Sequence, residues 1–109
     1  MYSAATPIFA DMNAQHAVDI LRRNETALRS RGIRHAALFG SIARGDDRPE
    51  SDIDIVVEID PTARITVFDY VGIKEFIASL FSQKVDVVDR EALKPHIRDA
   101  SARDAVDAF

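Results

Sequence analysis

Apolar residues recur along this chain first at a helical spacing, then in short runs and strict alternation, then at a helical spacing again. From about Asn13 to Arg31 they fall at Ala14, Ala17, Val18, Leu21 and Leu28, three and four apart as one helix face requires. A short apolar run, Ala36-Ala-Leu-Phe39, ends at Gly40 and predicts a buried strand. Ser41 to Ser51 is rich in Gly, Asp, Arg and Pro, which predicts a loop with room for one helical turn. Asp52 to Asp60 alternates cleanly. Ile53, Ile55, Val57 and Ile59 point one way, and Asp52, Asp54, Val56 and Glu58 point the other, the period of a strand.

Pro61 ends that strand. Thr66 with Asp69 three residues on resembles a capping box, Asp standing in for the usual Glu. The helix it opens carries Tyr70, Ile73, Ile77, Leu80 and Phe81 on its apolar face. Lys84 to Asp89 predicts a third strand, with Val85 and Val87 on one face and Asp86 and Val88 on the other. Pro95 suits a first helical position, and a short C-terminal helix is expected to turn Ile97, Ala100 and Val106 inward. The pattern predicts an α/β (α+β) fold: a small mixed sheet with helices packed on one face.

Composition narrows the classes. The chain has 109 residues, 47% hydrophobic and 29% charged, which suits one domain over 1–109, with residues 1–12 an N-terminal extension. Cysteine is absent, which removes disulfides, thiolate metal sites and cysteine nucleophiles. No apolar run approaches the roughly 18 residues of a membrane span, and the first ten residues lack a signal peptide's basic flank and apolar stretch. A soluble, cytoplasmic protein is expected. The net charge of −4 argues against broad nucleic-acid binding, which needs a basic surface. Arg22, Arg23, Arg29, Arg31 and Arg34 form a local exception, readable as a solvated helix face or as a docking surface for an acidic partner or polyphosphate. His16, His35 and His96 are scattered without a metal-ligand spacing.

The acidic sheet face carries the candidate chemistry. Asp52 and Asp54 leave one face of a strand about 7 Å apart, and Asp86 has the same phase on another strand. Carboxylates on one face repel unless something cationic lies between them. Mg²⁺ takes oxygen ligands and shares them with substrate phosphates, and two such ions suit in-line phosphoryl displacement. A strand that merely alternates toward solvent would also show this pattern, as Glu58 and Asp60 do. The companion feature is Gly40-Ser41 at a strand end, where a tight turn into a helical turn offers backbone N–H groups and a hydroxyl to phosphate. A side chain at position 40 would crowd the phosphates. Arg44 and Arg48 stand in the same loop and could add charged donors.

Gly40-Ser41, ten residues, then Asp52-Ile-Asp54 resembles the signature of the DNA polymerase β-like nucleotidyltransferase superfamily. The string from Leu38 to Glu58, with Val67 to Glu75 and Lys84 to Val88, is similar to its minimal (MNT) branch. The resemblance implies the polymerase β-like nucleotidyltransferase fold. It also implies that Gly40 and Ser41 hold a nucleotide triphosphate, with Arg44 at a basic position of the loop. Asp52 and Asp54 would be metal ligands for two Mg²⁺ ions. Asp86 would be the third carboxylate, able to act as base toward an acceptor hydroxyl.

The resemblance further implies an antitoxin of a HEPN/MNT toxin–antitoxin pair. Such a protein transfers AMP from ATP to a hydroxyl, a tyrosine, of a HEPN-domain RNase toxin. Two alternatives stay open: neutralisation of the HEPN toxin by binding alone, or nucleotidyl transfer to a small molecule. The chain leaves no room for an acceptor-binding domain, so an exposed apolar patch, or a homodimer or hetero-oligomer covering it, is expected. Direct nucleic-acid and membrane binding are not.

Overall fold

The structure, a computed structural model, describes residues 13–45 and 52–109, and for 100–102 the backbone alone. The predicted N-terminal extension and Arg48 lie outside the described residues.

Asn13 opens helix α1 (Ala14–Arg23), its side chain accepting the His16 N–H at 2.8 Å. The single helix expected over 13–31 is in fact two. Asn24 leaves helical geometry (φ −107°, ψ 14°) and its side-chain amide donates to the Ile20 carbonyl at 2.8 Å. Helix α2 (Glu25–Ser30) starts after it. Asparagine offers the backbone an alternative partner within the helix, which periodicity does not register.

Strand β1 (Ile33–Phe39) runs straight into a five-residue helix α3 (Gly40–Arg44), the helical turn anticipated in the loop. Strand β2 (Ile53–Ile59) pairs with β1 antiparallel. Helix α4 (Val67–Ser79) then crosses to β3 (Val85–Asp89), which lies parallel to β2, a connection that needs such a crossover. The capping box at its start is present as predicted: Thr66 Oγ1 accepts the Asp69 N–H at 3.1 Å and Asp69 Oδ2 accepts the Thr66 N–H at 3.0 Å. A single 3₁₀ turn (Arg90–Ala92) leads to α5 (Pro95–Asp104), and β4 (Val106–Asp107) closes the sheet antiparallel to β1. The sheet order is β3-β2-β1-β4, a mixed sheet with helices, as the pattern predicts.

One face of the sheet buries the core. Leu21, Leu28, Ile33, Leu38, Ile42, Ile53, Ile55, Ile73 and Ile77 are essentially inaccessible, each worth about 1.5–3 kcal/mol when fully buried. On the second face Ala37 and Val56 are also buried, beneath Leu93, Arg98 and Ala105.

The C-terminal expectation needs correction. Ile97 is 41% exposed rather than inward, and Val106 belongs to β4, half-buried opposite Leu38; the Ala100 side chain lies outside the described residues. Helix α5 sits over the polar face, so the side chain it tucks in is Arg98. The chain leaves the helix at Ala105 and turns extended, and Ala108 N–H donates to the Ala36 carbonyl at 2.9 Å. A two-residue strand is too short to leave an alternation signal.

Candidate active site

Strand register brings the acidic face together. The antiparallel ladder places Phe39 opposite Asp54, and the parallel ladder places Asp54 opposite Asp86. Adjacent strands lie roughly 4.8 Å apart, so the end of β1 and the starts of β2 and β3 meet at one sheet end. Gly40 follows Phe39 at that end. Its φ of +75° lies in the left-handed region, which suits glycine. A Cβ built there would lie 2.3 Å from Asp54 Oδ2. Independently of any bound phosphate, the Asp54 carboxylate occupies the space that a side chain at position 40 would need.

The neighbouring residues of α3 divide their work. Ile42 is buried and anchors the short helix against the core. Ser41 stands half-buried in its first turn and Arg44 exposed at its end. Gly45 then caps the helix in a left-handed conformation, φ +79°.

Asp54 is the electrostatic centre. Burial pushes its carboxyl up from the ordinary carboxylate range, and the charges of Asp86 and then Asp52 push the same way, while Arg44 opposes them. Those causes place Asp52, Asp54, Asp86 and Arg44 in one field. Asp52 and Asp86 are exposed, and Asp52 Oδ2 lies 3.9 Å from Lys84 Nζ. All three candidate ligands are carboxylate oxygens, the donor chemistry of a hard divalent cation. The crowding of charge at Asp54 is what such a cation relieves. Among the described residues, no three acidic or histidine side chains already converge closely enough to form a ready-made metal site.

Sequence reasoning missed several contributors. Lys84 pairs with Asp52 because the offset that matches Asp54 to Asp86 also brings residue 52 beside residue 84; the parallel register was the signal. Glu58, read as solvent-facing, is held by Arg34 and by Arg90 Nη1 at 3.5 Å. The hydrogen bond from Arg34 lowers its pKa, with Arg90 acting the same way. The arginine run is dispersed within the fold. Arg22 Nε donates to the Ala108 carbonyl at 2.7 Å, Arg29 pairs with Glu25 at 2.7 Å, and Arg31 lies over the Phe76 ring. An exposed apolar patch does occur, at the start of α4, where Val67 and Phe68 are 76% and 87% exposed with Val71 beside them. No helix among the described residues is long and apolar enough to cross a membrane.

Comparison with known proteins finds relatives in sequence and in fold. The profile of the nucleotidyltransferase domain family matches residues 21–108. Protein adenylyltransferase MntA of Thermococcus cleftensis is 30% identical over 98 residues, covering 89% of this chain and 97% of that protein. A solved structure provisionally described as a minimal nucleotidyltransferase superposes with a TM-score of 0.66 at 28% identity, covering 91% of this chain and 97% of the other. A complex of a tri-AMPylated Shewanella oneidensis HEPN toxin with an MNT antitoxin shares the fold. There the TM-score is 0.58 at 18% identity, over 84% of this chain and 71% of the other.

Proposed function

This chain belongs to the nucleotidyltransferase domain family, and from that premise we propose that it transfers AMP from ATP to a tyrosine hydroxyl of a HEPN-domain toxin, acting as that toxin's antitoxin in the cytoplasm. The observation that carries the reading is the sheet end itself. Asp54 faces Asp86 across a parallel ladder, with Gly40 shaped around the Asp54 carboxylate.

Each residue has a defined task on this reading. The backbone N–H groups at Gly40 and Ser41, with the Ser41 hydroxyl, donate to the β- and γ-phosphates. Arg44, which already acts on Asp54 through its charge, adds a charged donor, and Arg48 a second. Asp52, Asp54 and Asp86 would hold two Mg²⁺ ions, which when bound neutralise charge on the triphosphate and on the departing pyrophosphate. Asp86 accepts the proton of the acceptor hydroxyl. That oxygen attacks the α-phosphorus as the bond to the β-phosphate oxygen breaks, leaving AMP on the acceptor and releasing pyrophosphate. Catalysis is then positioning and charge neutralisation.

A protein acceptor is supported by the name of the Thermococcus relative and by the toxin complex that shares the fold. The exposed Val67, Phe68 and Val71 favour a second reading, neutralisation by binding alone. The two separate in one experiment, incubation of the chain and a HEPN-domain toxin it neutralises with α-labelled ATP and Mg²⁺. Label on the toxin, lost in Asp52→Asn/Asp54→Asn together with neutralisation, supports transfer. Neutralisation that survives the double substitution supports binding alone and overturns the enzymatic account of the antitoxin.

A further inference from the structure

The apolar patch at the start of α4 and the arginines between α2 and β1 meet in one groove. Arg31, Gly32 and Asp60 lie where β1 begins and β2 ends, and Ile65, Phe68 and Gly72 stand across from them, bounding a volume of about 560 Å³. The groove is preformed. Asp60 N–H donates to the Gly32 carbonyl at 2.8 Å, and Ile65 packs so closely on Gly32 that a Cβ there would lie 2.8 Å from its Cδ1. Asp54 and Asp60 are six residues apart along β2, about 20 Å. The groove therefore lies at the opposite end of the sheet from the carboxylates.

In a chain of net charge −4, this groove is cationic. Arg29, Arg31 and Arg64 line it, against Asp60 and Asp69. Both carboxylates are engaged locally: Asp60 accepts from the Thr62 N–H at 2.9 Å and its hydroxyl at 2.7 Å, and Asp69 from the Thr66 N–H at 3.0 Å. Arg29 is held by Glu25. Among the described residues no carboxylate pairs with Arg64 or with Arg31, which lies over the Phe76 ring, and both are exposed. Phe68, 87% exposed, stands beside them with Val67 and Val71. Gly72 faces the groove from within α4, and among the described residues nothing lies within 4 Å of a Cβ built there. The fold does not require this glycine, which weakens a helix relative to alanine. A bare backbone at that point suits close approach by another chain.

We propose that this groove docks an acidic segment of the protein acceptor, its carboxylates meeting Arg31 and Arg64, an apolar side chain covering Phe68, and its backbone passing over Gly72. The identity of the occupant rests on the antitoxin reading above. Charge complementarity selects an acidic segment, and an exposed aromatic beside arginines is the composition of an interface anchor. RNA also supplies anions, but its phosphates would face Asp60 and Asp69 and would leave Val67 and Val71 uncovered. Docking about 20 Å from the carboxylates leaves the sheet end free for ATP, so holding the acceptor and reacting with it are separable.

Calorimetric titration with a HEPN-domain toxin that the chain neutralises, and separately with ATP and MgCl₂, tests this on the native chain and on Arg64→Glu and Gly72→Leu. Thermal unfolding checks each variant; Gly72→Leu, which fills the groove with a better helix former, is expected to unfold no lower than native. Both variants should bind the toxin roughly 10- to 100-fold more weakly, with ATP affinity and the transfer rate at saturating toxin within about twofold of native. Toxin affinity within about twofold of native in both variants overturns the proposal, as does a parallel loss of toxin and ATP binding. Loss of single-stranded RNA binding in both variants with toxin binding intact assigns the groove to RNA and overturns it too. Variants that lose the toxin while the native chain binds it but moves no AMP support the docking site and overturn the transfer reading alone.

Discussion

Replacing Gly40 by alanine isolates the coupling between the α3 turn and the Asp54 carboxylate. The substitution carries two costs. The first is the left-handed backbone, φ +75°, worth about 1–2 kcal/mol for a residue with a Cβ. The second is overlap: the new methyl would lie 2.3 Å from Asp54 Oδ2 and 3.2 Å from its Cγ, so the carboxylate must move. Gly45 supplies a control, because its φ is +79° and, among the described residues, nothing lies within 4 Å of the added Cβ. Gly45→Ala should therefore show the backbone cost alone, a fall in Tm of roughly 4–8 °C per kcal/mol for a domain near this size. Gly40→Ala should fall further. In an Asp54→Ala background, where the nearest clashing atoms are gone, its cost should shrink to that of Gly45→Ala. Urea or thermal unfolding of the native chain, Gly40→Ala, Asp54→Ala and the double variant closes this double-mutant cycle, with Gly45→Ala alongside and labelled AMP transfer as the functional readout; Gly40→Ala should lose transfer far beyond its loss of stability. Equal costs for Gly40→Ala and Gly45→Ala, with Asp54→Ala changing neither, would refute the coupling.

Other consequences follow from the same geometry. Burial and the charges of Asp86 and Asp52 raise the Asp54 pKa, so its folded-state ionisation is a stability cost present at neutral pH and relieved as pH falls toward the unfolded value near 3.8. Asp54→Asn in EDTA should then raise Tm at pH 7 while abolishing transfer, and a lower Tm at pH 7 contradicts this. Glu58 behaves oppositely. Its pKa is lowered, first by the Arg34 hydrogen bond, so its stabilisation is full above about pH 4.5 and lost as pH falls through the folded-state value. Glu58→Gln should accordingly lower Tm at pH 7 and converge on native under acid. Thr66→Ala removes one half of the α4 capping box and should cost about 1 kcal/mol in urea unfolding, with transfer retained.

The sequence made β2 and β3 and their phases legible because apolar and polar positions alternate over Asp52–Asp60 and Lys84–Asp89, Val56 and Val88 being the departures. The capping box and the helical turn after Gly40 were legible for the same local reason, as their determinants lie within four residues. What escaped was non-local or off-period. Asn24 breaks α1 from α2 through a side-chain bond to the Ile20 carbonyl that apolar spacing does not encode. The orientation of α5 turns on which sheet face it covers, so Ile97 faces out and Arg98 in. At the site, residue types and phase pointed to Asp52, Asp54 and Asp86. The reason for Gly40, and the pairing of Lys84 with Asp52, needed the strand register.

Transfer of AMP from this sheet end to a protein is tested most directly by intact mass spectrometry of a HEPN-domain toxin after incubation with the chain, ATP and MgCl₂. The account predicts a mass gain of one or more AMP groups on the toxin with release of pyrophosphate, absent with EDTA and absent with Asp52→Asn/Asp54→Asn. A toxin whose mass is unchanged by the native chain while its activity is still blocked would contradict it.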